Sequence, residues 1–140
     1  MSRVFALSTG DEVSMKISKI AVGLGIFWLA GAAIAASNPD PSGIWMRGDG
    51  NAKVRIAPCG ADICATNLWI RDSSGGESVG DKLVMTVKPK SVDTLSGKAF
   101  DPKRKLTYSI QMKVGKASLL TRGCVVGGLV CKNVTWSRAD

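Results

Sequence analysis

Residues 106–138 read LTYSIQMKVGKASLLTRGCVVGGLVCKNVTWSR, and this stretch decides the fold. Apolar and polar side chains alternate over 106–114, which is the period of a strand with one face in water. Gly115-Lys116 predicts a two-residue turn after that strand, and Gly127-Gly128 predicts a second turn further on. The three predicted strands are 106–114, 117–126 and 129–137. Together they form an antiparallel meander.

Four cysteines in a short chain predict two disulfides if the protein is exported. The glycine pair of the second turn brings Cys124 opposite Cys131. A turn with its tip at Ala61-Asp62 would likewise bring Cys59 opposite Cys64. Each bridge closes a short loop, for which chain entropy gives about 2 to 2.5 kcal/mol. A four-cysteine zinc site is one alternative, which the spacings disfavour, and a reducible redox pair is another.

Five further strands precede the meander, each bounded by turn residues. They are 43–47, 53–58, 65–71, 82–88 and 94–100. Residues 72–81 form the longest predicted loop, a candidate mobile flap or rim. Eight short strands without a useful helical period predict an all-β, eight-stranded antiparallel up-and-down barrel, because closure removes both exposed sheet edges. A flattened β-sandwich is the alternative. The interior of such a barrel is filled by side chains or holds one small ligand.

Residues 1–35 indicate the cellular compartment of the protein. Two lysines precede an apolar run at 20–36, which contains the small residues typical of a signal peptidase site. We predict a secretory signal peptide cleaved after Ala35, with translation beginning at Met15 because acidic residues upstream do not suit an export signal. The single mature domain, 36–140, is then periplasmic or secreted, with no stable membrane insertion. An uncleaved membrane anchor is the alternative, although 17 apolar residues are short for a membrane span.

Composition excludes several kinds of site. The chain has no histidine, which excludes a Ser-His-Asp triad, a Cys-His pair and any His-ligated metal. Without residues 1–35 it carries 16 basic and 9 acidic residues, a net charge of +7. The basic residues are spread along the strands and lack the interleaved aromatics of a nucleic-acid surface. We therefore expect no nucleic-acid partner, cofactor or metal. Weak attraction to anionic lipid or polysaccharide is the alternative to simple solvated strand faces.

A series of short motifs runs through the mature chain in a specific order. Gly43-Ile44-Trp45 opens it, Asp101-Pro102 precedes the meander, and Thr135-Trp136-Ser137-Arg138 closes it. Between them lie Pro58-Cys59-Gly60 and Arg122-Gly123-Cys124. In this order and spacing the motifs resemble the exported bacterial domain-of-unknown-function family 2147. The resemblance implies a lipocalin-like barrel of the calycin superfamily and no particular activity. It also implies that Trp45 and Arg138 pack together and close one barrel end.

Candidate ligand contacts follow from the predicted hairpins. Leu119 faces both Met112 and Trp136, so we expect all three inside the barrel. Tyr108 shares the strand face of Met112, whereas Trp69 lies in a run that is apolar on both faces. These five residues are the ligand-binding candidates, and simple core filling is the alternative for each.

Three classes of function follow. The first is a periplasmic module that binds a small apolar or amphipathic ligand inside the barrel. The second is a closed barrel whose outer surface contacts another component of the cell envelope. The third is an enzyme, for which the sequence offers no catalytic residues. A cavity of about 300 Å³ or more with aromatic lining would favour the first class, and a filled interior would favour the second.

Overall fold

The computed structural model describes residues 31–33, 38–125 and 127–140. The signal peptide predicted over 1–35 and the proposed start at Met15 lie outside these residues, apart from 31–33. Within the described part of the chain, no helix has the length and apolar character needed to cross a membrane.

Eight strands follow one another along the described chain and close into a barrel. They are β1 (Gly43–Arg47), β2 (Ala52–Cys59), β3 (Asp62–Ile70), β4 (Lys82–Pro89), β5 (Thr94–Asp101), β6 (Leu106–Val114), β7 (Ser118–Val125) and β8 (Val130–Arg138). Each strand pairs antiparallel with the next, and β8 pairs with β1. The predicted up-and-down barrel is confirmed, and the sandwich alternative is wrong. Closure leaves no strand edge of the barrel open for pairing with another chain.

The turn between β2 and β3 lies one residue earlier than predicted. It is formed by Gly60-Ala61, with Gly60 in the left-handed region at φ 69°. Cys59 therefore pairs with Asp62, and Cys64 pairs with Ala57. The two cysteines lie on a diagonal of the hairpin, with their Cα atoms 5.7 Å apart, and still form the predicted disulfide.

The connection between β6 and β7 also differs from its prediction. It contains the three residues 115–117 where a two-residue turn was expected. Val114 faces Leu119, and Met112 faces Thr121, so the prediction that Leu119 faces Met112 is wrong. The register differs by two residues. Because side chains alternate with a period of two, Leu119 keeps the predicted inward direction.

The register between β7 and β8 is as predicted. Cys124 pairs with Cys131 and forms the second disulfide, and Leu119 pairs with Trp136. The turn is made possible by two consecutive glycines at φ 63° and 89°. With both cysteine pairs bonded, the zinc alternative has no thiolates left to bind the metal.

One end of the barrel is sealed by Trp45. This residue is fully buried on β1, and its indole N–H donates to the carbonyl of Pro41 at 2.9 Å. The guanidinium carbon of Arg138 lies 4.2 Å from the centroid of the ring, the packing that the family resemblance implies. Arg138 also donates to the carbonyls of Lys116 and Ser42, at 2.8 and 3.2 Å. We call this end the floor.

Candidate functional site

A cavity occupies the part of the barrel away from the floor. It has two overlapping compartments of about 200 and 320 Å³. The first, the deep compartment, extends down to Met112 and Leu119. The second, the side compartment, is bounded by Tyr108 and Gly123. Both are lined by Leu83, Ile110, Thr121, Val134 and Trp136, and by the charged residues Glu77, Asp101, Arg104 and Lys132. The cavity is therefore apolar inside and charged at its mouth.

Two glycines on inward-facing positions of the barrel wall have opposite roles. Gly97 lies where β4 passes so close that a Cβ would collide with the backbone of Thr86, so the packing requires glycine there. A Cβ at Gly123 would meet no atom within 4 Å. Gly123 pairs with Ile110 on one side and Lys132 on the other, and it lines the side compartment. Its missing side chain leaves part of the cavity empty.

Four of the five predicted ligand-binding residues line the cavity. Met112 and Leu119 form its deep end and are almost fully buried, Tyr108 lines the side compartment, and Trp136 lines both compartments. Trp69 does not belong to this group. It pairs with Lys53 on the outer side of the barrel and is 42% exposed. A run that is apolar on both faces carries no period, so the sequence could not give the direction of this side chain.

The polar atom of Trp136 is satisfied within the wall. Its indole N–H donates to the Thr121 hydroxyl at 3.0 Å, and that hydroxyl donates to the carbonyl of Val134 at 3.4 Å. The ring can therefore contribute apolar surface to the cavity without leaving a buried N–H unpaired.

At the mouth, Arg47 binds the loop between β3 and β4. Its two terminal nitrogens donate to the carboxylate of Glu77 at 2.6 and 2.8 Å, and its Nε donates to Asp49 at 3.0 Å. The hydrogen bonds from Arg47 lower the pKa of Glu77, and the same contact raises the pKa of Arg47. The Arg47 side chain is only 18% exposed, so this bidentate pair is partly shielded from water.

The same loop has a second anchor on the other side of the mouth. Lys103 donates to the carbonyl of Gly76 at 3.0 Å and to the carboxylate of Asp81 at 3.0 Å. The backbone N–H of Gly80 donates to the carbonyl of Asn67 at 2.8 Å. The loop predicted as a mobile flap or rim is thus a rim segment tied to β1, β3 and the β5–β6 turn.

Asp101 organises the turn between β5 and β6. It is 7% exposed, and it accepts hydrogen bonds from the backbone N–H groups of Lys103 and Arg104 and from the Arg104 guanidinium, at 2.9, 3.1 and 2.8 Å. Burial is the largest single influence and raises the pKa of Asp101, but the Arg104 and backbone hydrogen bonds together hold that pKa below its ordinary value. The turn ends at Lys105, which lies in the left-handed region at φ 55°.

Sequence reasoning missed Arg47 and Glu77. The available signal was that Arg47 continues the inward alternation of Gly43 and Trp45, which placed a charged residue on an interior position. No such pattern identified Glu77, because it lies in a loop, where side chains do not alternate between two faces. Among the described residues, no group of three or more His, Cys, Asp or Glu side chains is placed to hold a metal ion.

Comparison with known proteins gives one match. Residues 43–138 match the family described as "Uncharacterized protein conserved in bacteria (DUF2147)". The match extends from the first residue of β1 to the last residue of β8 and covers more than half of the chain. No curated protein and no solved structure matches the sequence. The protein therefore belongs to the bacterial DUF2147 family.

Proposed function

We propose that the protein is a binding module that holds a small apolar or amphipathic molecule inside its barrel. The observation that carries this proposal is a cavity with compartments of about 200 and 320 Å³, apolar inside and open at one end. The larger compartment is at the lower limit of ordinary ligand pockets, which begin near about 300 Å³. A barrel with a purely structural interior would be expected to fill this space with side chains.

The polar groups at the mouth support binding in preference to chemistry. The three carboxylates that line the cavity are Glu77, Asp81 and Asp101. Each is bound by a cation of the protein, at 2.6 to 3.0 Å. Carboxylates held in this way are poor proton acceptors at neutral pH. The cluster is therefore better suited to shape the entrance than to act as a general base.

We place this binding module outside the cytoplasm, in the periplasm or beyond. Two disulfides in a barrel of this size suit an oxidising compartment. The sealed floor with Arg138 over Trp45 also supports the proposed relationship to lipocalin-like barrels. Like them, this barrel has one open end and one sealed end, which suits a carrier of a small molecule.

A fluorescence titration tests the proposal. N-phenyl-1-naphthylamine is neutral and apolar, and its emission rises when it leaves water. We expect saturable binding to the full chain with one probe per protein. Tyr108→Glu places a charge inside the side compartment. Ser109→Glu places the same charge at the next residue of β6, which faces the outside of the barrel.

The paired variants decide whether the probe reports on the cavity. We expect Tyr108→Glu to weaken probe binding by roughly tenfold or more, since burying the carboxylate or the probe beside it is costly. Ser109→Glu should bind as the unmodified protein does. Absence of saturable binding, or an equal loss in both variants, would contradict the proposed function.

A further inference from the structure

We propose that Lys132 binds the anionic head group of the ligand, so that the barrel takes single-chain amphiphiles with a negatively charged head. This inference rests on the proposed function and narrows its ligand class. It is carried by the position of Lys132, by the pairing of the other charges at the mouth, and by the apolar surface that continues below it.

Lys132 belongs to the inner face of β8. It alternates with Val134 and Trp136, which line the cavity, and it lines both compartments itself. It pairs directly with Gly123 on β7, where a Cβ would meet no atom within 4 Å. Empty space therefore lies beside a cation that remains exposed at the mouth.

The other inward-facing cations of the mouth are already occupied. Arg47 binds Glu77 at 2.6 Å, and Arg104 binds Asp101 at 2.8 Å. Within the described ranges, none of the ion pairs within 4.0 Å involves Lys132. Its charge contributes weakly to lowering the pKa of Asp49, which Arg47 already binds. Lys132 is thus available to a negative group that enters from outside.

A second lysine near the cavity does not offer the same site. Lys82 borders the deep compartment only, whereas Lys132 lines both compartments. Lys82 is at the start of β4, where Leu83 and Met85 face the interior. Alternation along the strand therefore directs Lys82 to the outer face. Lys132 differs because its neighbours Cys131 and Asn133 take the outward positions of β8.

The apolar surface below Lys132 matches the tail of an amphiphile. From Lys132 to Trp136 the strand rises about 13 Å, at about 3.3 Å per residue. Along this path the wall is formed by Ile110, Val134 and Trp136, and the deep compartment ends at Met112. A ligand would enter tail first and leave its head at the mouth. Decanoate has an extended tail of similar length.

Isothermal titration calorimetry with three probes tests this inference. Decanoate, decanol and decyltrimethylammonium share one tail and carry a negative, a neutral and a positive head. The protein is the full chain, and the variants are Lys132→Gln and Lys98→Gln. Lys98 is an exposed lysine on the outer face of β5, so its replacement removes the same net charge without changing the cavity.

We expect decanoate to bind more tightly than decanol and decyltrimethylammonium to bind least tightly. Lys132→Gln should weaken decanoate binding roughly three- to tenfold and leave decanol binding within about twofold, as expected for one solvent-accessible ion pair. Lys98→Gln should change neither. The preference for decanoate should decrease at high salt, because the pair is accessible to water.

The outcomes separate this inference from the proposed function. Equal binding of decanoate and decanol, or equal effects of Lys132→Gln and Lys98→Gln, would overturn the role of Lys132 and leave the cavity as an apolar site. Binding by none of the three probes would contradict the proposed function itself. Circular dichroism of Lys132→Gln checks that the exposed substitution leaves the barrel folded.

Discussion

Gly123→Leu fills the side compartment from the barrel wall and tests the cavity directly. A Cβ at this position meets no atom within 4 Å, and the residue lines the compartment of about 320 Å³. Gly123 lies within β7 and its φ is not positive, so its backbone conformation is compatible with a branched side chain. The variant should fold as the same barrel with less empty space.

The expected gain in stability follows from the groups added. Leucine adds four carbons, and full burial of each stabilises by about 0.8 kcal/mol. Because the compartment is open at the mouth, we count about half of this sum. Replacing glycine within a strand adds about 0.5 kcal/mol through the unfolded chain. The free energy of unfolding should rise by roughly 2 kcal/mol. For a domain of this size the melting temperature should rise by about 8 °C or more.

Chemical denaturation and probe binding are measured on the same preparations. Gly123→Leu should raise the denaturation midpoint and weaken binding of N-phenyl-1-naphthylamine by roughly tenfold. The matched control is Ser109→Leu, which adds the same side chain on the outer face of β6, opposite Cys124. It should change the free energy of unfolding by no more than about 0.5 kcal/mol and leave binding unchanged.

Two results would refute the reasoning. Destabilisation of Gly123→Leu by more than about 1 kcal/mol would mean that this part of the interior is already filled, because overpacking has a cost of that size. Higher stability with unchanged probe binding would mean that the probe does not occupy the side compartment, which is the larger of the two and the main support for a carrier.

Three other predictions concern the floor, the mouth and one turn. Arg138→Gln removes the cation that lies 4.2 Å from the Trp45 ring. It should lower the free energy of unfolding, measured by urea denaturation, by about 2 kcal/mol. An unchanged denaturation midpoint would show that the floor does not need this cation. The pKa of Glu77 is lowered by hydrogen bonds from Arg47. The stability from this pair is therefore present above the ordinary glutamate pKa of about 4.5 and is lost as the pH falls through the lower folded pKa. At neutral pH, Glu77→Gln should therefore be less stable than the unmodified protein by about 1 kcal/mol, and this difference in stability should disappear in acid. A difference that does not depend on pH would show that it does not come from the ion pair with Arg47. Lys105→Gly should raise the free energy of unfolding by about 0.5 kcal/mol. The reason is that the left-handed conformation at φ 55° costs a non-glycine residue more than the extra entropy that glycine loses on folding. A lower melting temperature of the variant would contradict this prediction.

The alternation of side chains and the placement of glycines were enough to predict the barrel. The alternation of apolar and polar residues predicted the strands. The glycines of the last turn predicted that Cys124 lies opposite Cys131, and the two residues are paired in this way. The same local signals were less reliable for the exact turns. The β2–β3 and β6–β7 registers differ by two residues from their predictions. The β2–β3 turn has the predicted two residues but lies one residue earlier, and the β6–β7 connection has three residues where two were predicted. The local turn signals do not fix either detail. Since two residues is one full period, the predicted inner faces survived these errors.

The same local signals predicted only part of the candidate site. Tyr108, Met112, Leu119 and Trp136 line the cavity because each lies on a strand with a clear inward face. Trp69 lies outside, since its run is apolar on both faces. The contact between Arg47 and Glu77 joins two residues that are 30 positions apart, one of them in a loop, and no local pattern predicts such a pair.

By itself, the sequence determined the number and approximate bounds of the strands, which cysteines pair and which side of most strands is inside. Only the tertiary structure decided whether the interior is full or empty, and which inward-facing cations at the mouth are paired with carboxylates. These properties depend on distances across the barrel between strands that are far apart in the chain. Those distances are set by the tilt and stagger of all eight strands together, which no single stretch of sequence specifies.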